Sequence, residues 1–158
     1  MQPETSEIAT TNAFRERVMS IESKLRERGD VLVEEETELL CPVKHSWGDG
    51  CYMREWTCPP GVVTISRIHK KAHPFFVLEG DVSVVTENGV ERIKAPHHGI
   101  TPVGTKRILY THTKTRWVTV HATELTDVDA IIAEVTAKDF TDPEITEADM
   151  ARLEELVE

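Results

Sequence analysis

The chemistry this chain can do starts from two histidines, His69 and His73, and an arginine two residues before the first, Arg67. Side chains two apart in an extended strand point the same way, so Arg67 and His69 are expected to share a face. His73 would open the next strand beside them, and the two imidazoles could converge. Neutral imidazole ligates divalent transition metals such as Zn, Fe, Ni or Mn, and the same ring exchanges protons near neutral pH. His69 and His73 are therefore the candidate catalytic residues and the first two candidate metal ligands. The plainer reading is a pair of hydrogen-bonded interior histidines with no metal. Nothing points to an organic cofactor. There is no G-x-S-x-G elbow, no phosphate-cradling glycine loop and no dinucleotide fingerprint.

The elements that must position these residues show first in the charge. The chain has 158 residues and a formal net charge of −10, which divides unevenly. Residues 1–40 carry 10 acidic and 5 basic side chains, and residues 124–158 carry 12 and 2. Residues 41–123 carry 6 acidic and 11 basic, together with all seven histidines, all three tryptophans and all three cysteines. A mildly basic, histidine-rich body thus lies between two acidic arms, and the arms would repel nucleic acid. No run of apolar residues is long enough to span a membrane, and Met1 to Thr11 does not read as a signal peptide. The expected compartment is the cytoplasm. The odd cysteine count, with no C-x-x-C pair, predicts unremarkable thiols, Cys51 and Cys58 being the one plausible pair.

In the first arm, residues 12–28 read as an amphipathic helix capped by Asn12 and stopped by Gly29-Asp30, with Phe14, Val18, Ile21 and Leu25 as its apolar stripe. A stripe outside the central body must be covered, either by that body or by a partner subunit, and a homodimer or larger homo-oligomer with this helix at or near the interface is expected. The tail, 124–158, reads as two short helices. Thr126 and Thr146 are their expected N-caps, and Ile131, Ile132, Met150, Leu153 and Leu156 supply their apolar faces. Between the arms the pattern is that of strands. They fall at Val62–Ile65, Phe75–Leu78, Val82–Thr86, Val90–Ile93, Arg107–Tyr110 and Trp117–His121, with Asn88-Gly89 as a hairpin turn. Short strands about ten residues apart indicate a β-sandwich or small barrel.

At Gly61 the spacing resembles the first cupin motif: five residues to Arg67, one to His69, three to His73 and six to Gly80. Arg67 fills the first histidine slot and His73 the glutamate slot. The second motif is recognisable at Pro102-Val103-Gly104, with Pro96 in its glycine slot, Arg107 in its histidine slot and Thr111 in its asparagine slot. The wording Ile68 to His73, Ala95-Pro96, Pro102 to Arg107 and Trp117 to His121 is also similar to uncharacterised cupin-like proteins of tailed bacteriophages, for which the compartment would be the host cytoplasm. The resemblance covers about half the chain. It implies a mainly β fold: a single cupin jelly-roll barrel at 41–123, one N-terminal helix before it and two short C-terminal helices after it.

The resemblance also places Arg67, His69 and His73 inside the barrel. Typical cupins ligate metal with three histidines and a glutamate, so a third ligand must come from elsewhere. His121, on a strand where Trp117, Thr119 and His121 share a side, is the best candidate, and His112 is next. Arginine in two interior slots suggests instead a small anionic molecule, held by Arg67, Arg107 and Lys71, with Lys70 and Lys106 nearby. A buried guanidinium needs an anionic partner, and Glu79, Asp81, Glu87 and Glu91 belong to bends or the hairpin. The functional expectation is an isomerase, epimerase, lyase or dioxygenase acting on a small anion through a His/Arg site, with or without a divalent metal. The alternative is a non-catalytic phage-type cupin that serves as a ligand-binding, accessory or structural protein. His97-His98 are expected in a loop, Tyr110 under the helices, and His45 and Trp47 either as an aromatic lip or buried in a β-arch.

Overall fold

The computed structural model describes residues 3–28 and 34–157, with side chains described for 10–28, 37–152 and 154–155. Two helices precede the strands, α1 (Pro3–Arg28) and α2 (Glu34–Leu40). The strands follow as β1 (Val43–Gly48), β2 (Cys51–Cys58), β3 (Val63–Ile65), β4 (Ile68–His69), β5 (His73–Glu79), β6 (Asp81–Thr86), β7 (Gly89–Lys94), β8 (His97–Thr101), β9 (Ile108–Thr111) and β10 (Thr115–Ala122). The chain continues through α3 (Val128–Val135), β11 (Thr136–Ala137) and α4 (Pro143–Val157). Among the described residues no helix is long and apolar enough to cross a membrane.

The fold class follows from strand order. One sheet runs β1-β2-β10-β5-β8, the other β3-β9-β6-β7, and all pairs are antiparallel. From β2 to β10, apart from the short β4, the chain changes sheet at each connection except the β6–β7 hairpin, so the first and last strands pair and enclose the middle ones. That is the double Greek key of a jelly roll. The fold is mainly β, as expected, with helices at both ends.

Alternation explains why the sheets stack. Phe75 and Val77 of β5 and Trp117 of β10 are buried on one inner face. Val82 and Val84 of β6, Ile93 of β7 and Leu109 of β9 are buried on the other. The rings of Phe75 and Trp117 stack at 4.8 Å and 12°. The sharp passage from β5 to β6 turns on Gly80, at φ +118°, where a Cβ would lie 2.5 Å from Thr115 Oγ1 and 2.8 Å from its Cα. Only glycine fits there.

Several expectations need correcting. α1 begins at Pro3, so Asn12 lies inside it, and a second helix, α2, follows in the N-terminal arm. The expected stop at Gly29-Asp30 lies outside the described residues, as do the side chains of Leu153 and Leu156. Val18 is fully buried within the chain, because α1 packs back through Arg15 to Asp149 of α4 and Glu22 to Lys106. α3 is capped by Asp127, whose side chain accepts from the Ala130 N–H, rather than by Thr126. Thr146 falls inside α4, which opens at Pro143. His97-His98 stand in β8, and Tyr110 is exposed. The hairpin turn is Glu87-Asn88, with Gly89 opening β7.

Candidate functional site

The inner face of the larger sheet can be read strand by strand from its register. Tyr52 lies opposite His121, and Arg54 opposite Thr119. Thr119 lies opposite Phe75, and two residues further along this antiparallel register His121 comes level with His73. His73 is in turn opposite Thr101. One row across the sheet is therefore Tyr52, His121, His73 and Thr101, and the next is Arg54, Thr119, Phe75 and Gly99. The apolar half of the interior, around Phe75 and Trp117, gives way to a polar half at these rows.

His69 reaches the same place from β4, which is held between β11 and Thr105 by the Thr136 register and an isolated bridge. The ring centroids lie 4.6 Å apart for His69 and His73, 4.3 Å for His73 and His121, and 6.3 Å for His69 and His121. His73 Nδ1 lies 3.1 Å from the Lys71 carbonyl oxygen. A carbonyl only accepts, so Nδ1 carries the proton and Nε2 bears a lone pair. His121 Nε2 pairs with Thr119 Oγ1 at 3.0 Å. Buried polar atoms without a partner then gather here: His69 Nδ1, His73 Nε2, His121 Nδ1 and Thr101 Oγ1. Buried polar groups are nearly always hydrogen-bonded, so four such atoms in one place mark a spot where a polar occupant would be stabilised.

Electrostatics sharpen this. Burial, then the neighbouring His73 and His121 and the cations of Arg107 and Arg54, push His69 down to about 2. Burial, His73 and Arg54 push His121 down to about 4. His73 is lowered by burial and Arg107, against the opposing pull of the Lys71 carbonyl. All three rings are neutral at pH 7. Burial also lowers Arg54 and Arg107. The Arg107 guanidinium lies over Phe75 at 5.0 Å and over Trp117 at 5.9 Å, a cation–π seat at the floor of the polar half. Among the described residues no carboxylate forms an ion pair with Arg54 or Arg107.

The sequence-predicted residues separate accordingly. His69, His73 and His121 come together, and Arg107 lies beside them. Arg67 is exposed, because Ser66-Arg67 interrupts the extended run between β3 and β4 and breaks its alternation with His69. Lys71 lies 3.8 Å from Glu134. Lys70 is near Asp142 and Glu144, and buried Lys106 holds Glu22 at 2.7 Å and the Ser66 carbonyl at 2.9 Å. The acidic arms thus neutralise the lysines; they form no ion pair with Arg54 or Arg107 among the described residues, although Glu38 acts electrostatically on Arg54, and Glu87 and Glu91 on Arg107. His112 pairs with Ser83 and Tyr110 instead of the trio. His45 meets the Tyr52 hydroxyl at 2.6 Å, and Tyr52 stacks toward His121, while Trp47 is half-exposed at the strand edge. Arg54 was missed. Its signal was the alternation of Tyr52, Arg54 and Trp56, in phase with Trp117, Thr119 and His121.

A metal fits these residues only in part. The donors are neutral imidazoles with unpartnered nitrogens, and His73 has the backbone-held second nitrogen typical of a ligand. Yet among the described residues no three His, Cys, Asp or Glu side chains form a group that could hold a metal ion. No carboxylate joins the trio, and two arginines stand beside it.

No protein-family model and no curated protein matches the chain. Solved structures do, among them cupin-domain proteins. A cupin domain from Bordetella pertussis Tohama I is 17% identical over 52% of this chain and 93% of its own, with a TM-score of 0.43. An acetylacetone dioxygenase from Acinetobacter johnsonii is 20% identical over 52% and 58%, at 0.43. An ectoine synthase from P. lautus is 17% identical over 60% and 72%, at 0.49. The jelly-roll class rests on the strand order itself, and these likenesses concern the fold alone.

Proposed function

We propose that this is a small cupin-type jelly roll whose interior binds a small anionic molecule, a carboxylate or phosphate, between Arg54 and Arg107 and against His69, His73 and His121. The observation that carries this reading is two desolvated guanidiniums that form no close ion pair among the described residues, beside four unpartnered buried polar atoms. A guanidinium fork matches carboxylate and phosphate oxygens, and taking it out of water is favourable only with an anion to meet it. The anion would also offset the cations that add to burial in keeping the imidazoles neutral, and would draw His69, His73 and His121 back toward their ordinary range. His73, with Nδ1 fixed by the Lys71 carbonyl, then presents Nε2 as a proton acceptor beside the ligand. Proton transfer at a carbon or oxygen of that ligand, as in an isomerase, epimerase or lyase, is the chemistry this arrangement serves.

Thermal unfolding with inorganic phosphate, citrate or a sugar nucleotide tests it. A ligand at a hundred times its Kd stabilises by about 2.7 kcal/mol, and Arg107→Gln should remove the response. No shift with any of the three anions would refute the reading.

A second reading is favoured by the unpartnered nitrogens: a divalent metal on His69, His73 and His121, from which a dioxygenase-type activity would follow. It predicts stoichiometric metal in the purified protein by inductively coupled plasma analysis, lost in His69→Ala. Equal metal content in the two proteins would dismiss it.

A further inference from the structure

We infer that Cys41 and Cys58 are a disulfide-forming pair that ties the N-terminal arm to the sandwich. Three observations carry this. The β1–β2 ladder has Val43 opposite Trp56, and the Thr57 N–H donates to the Pro42 carbonyl at 3.0 Å, which brings Cys41 opposite Cys58 one step beyond. In an antiparallel ladder the position next to a hydrogen-bonded pair is the narrow one, with Cα atoms about 4.5 Å apart, within the span a disulfide bridges. The two sulfurs lie 2.6 Å apart, well inside the ~3.5–4.0 Å at which unbonded heavy atoms rest. Both thiols are buried, at 2% and 0% exposure, and face each other 17 residues apart in the chain.

Cys51, the partner expected from sequence, stands at the other end of β2 from Cys58. Seven steps along the strand separate them, roughly 23 Å, which no disulfide spans.

Cys41 directly follows α2, and its N–H closes that helix on the Thr37 carbonyl. A bond to Cys58 therefore pins the end of α2 to the sheet. Glu38 of this helix acts electrostatically on Arg54 and Tyr52, so the pinned element is the one that brings a carboxylate toward the polar half of the interior.

The chemistry is thiol–disulfide exchange with a low-molecular-weight disulfide. One cysteine thiolate attacks a sulfur of oxidised glutathione, forms a mixed disulfide and releases one glutathione thiolate. The second cysteine thiolate then attacks the protein sulfur of that mixed disulfide and displaces the other. The net change is two protein thiols oxidised to one disulfide and one glutathione disulfide reduced to two thiols. Burial, together with the contact to Cys41, raises the Cys58 thiol well above its ordinary range, so exchange in the folded state is slow and the bond forms during folding.

The full chain is unfolded in denaturant and refolded with oxidised and reduced glutathione or with dithiothreitol, then digested without reduction for mass spectrometry. The expected result is a cross-linked peptide pair containing Cys41 and Cys58, two hydrogens lighter than the reduced pair, with Cys51 as the single reactive thiol in denaturant. Tm should rise by about 5–10 °C over the reduced protein for a loop of this length, and dithiothreitol should reverse it. Cys51→Ser should keep the cross-link and Cys41→Ser should lose it. Should Cys41→Ser fail to fold, the wild-type peptide map and thiol count decide. Three reactive thiols after oxidative refolding to a native circular-dichroism spectrum, or a cross-link through Cys51, would overturn the inference.

Discussion

Acid should weaken this protein before its carboxylates titrate, and the size of the effect follows from two histidines. His121 is held near 4 and His69 near 2, against an ordinary 6.5. Both are depressed in the fold, so the unfolded chain takes up protons that the folded chain refuses. Stability is complete above about pH 6.5 and falls as pH drops toward the folded values. Between pH 8 and pH 5 each ring contributes a loss of about 2 kcal/mol, since an unfolded histidine is almost fully protonated at pH 5 while a buried one is not. The pair gives about 4 kcal/mol, and His73 shifts in the same direction. The shifted carboxylates, Glu22, Asp81 and Asp139, start from 4.5, 3.8 and 3.8 and move lower, so they act below this window. Urea unfolding at pH 8 and pH 5 measures the loss, and ring-nitrogen NMR over the same range identifies the groups. A bound anion should shrink the effect by raising the folded-state values. Ordinary titration of the His69 and His121 rings near 6.5, or equal urea midpoints at the two pH values, would refute the electrostatic account of the site.

Other consequences follow from single contacts. Arg107→Ala removes the cation seated on Phe75 and Trp117 but also relieves its burial, so urea stability without anion should change by less than about 1 kcal/mol, while the stabilisation by phosphate or citrate should be lost. Gly80→Ala should destabilise by more than about 3 kcal/mol or prevent folding, because a Cβ would meet Thr115 at 2.5 Å where the backbone is already at positive φ. Lys106→Ala leaves Glu22 without its buried partner and should cost about 3 kcal/mol, with hydrogen exchange rising in α1.

The sequence determined most of what depends on local pattern. Val82–Thr86 and Trp117–His121 were legible as strands because alternation and β-branched residues act over neighbouring positions. Spacing from Gly61 through His69 and His73 to Gly80 pointed to a jelly roll, and Trp117, Thr119 and His121 were correctly phased. Charge division foretold two acidic arms, although not their destination. What the tertiary structure alone decided was which polar residues meet and which are neutralised. Lys70, Lys71 and Lys106 stood near Arg107 as further cations in sequence, but the arms fold back and give the lysines carboxylates. Arg67 lost its interior place to a two-residue break in its strand, an irregularity that alternation cannot foresee. Arg54 gained one because β2 pairs with β10 in a register that sets Arg54 across from Thr119. Cys58 met Cys41 instead of Cys51 because the β1–β2 register, carried past Val43 and Trp56, sets those two opposite each other. Register is a relation between distant segments, fixed by how two sheets bury their apolar faces together, and a single strand read alone does not contain it.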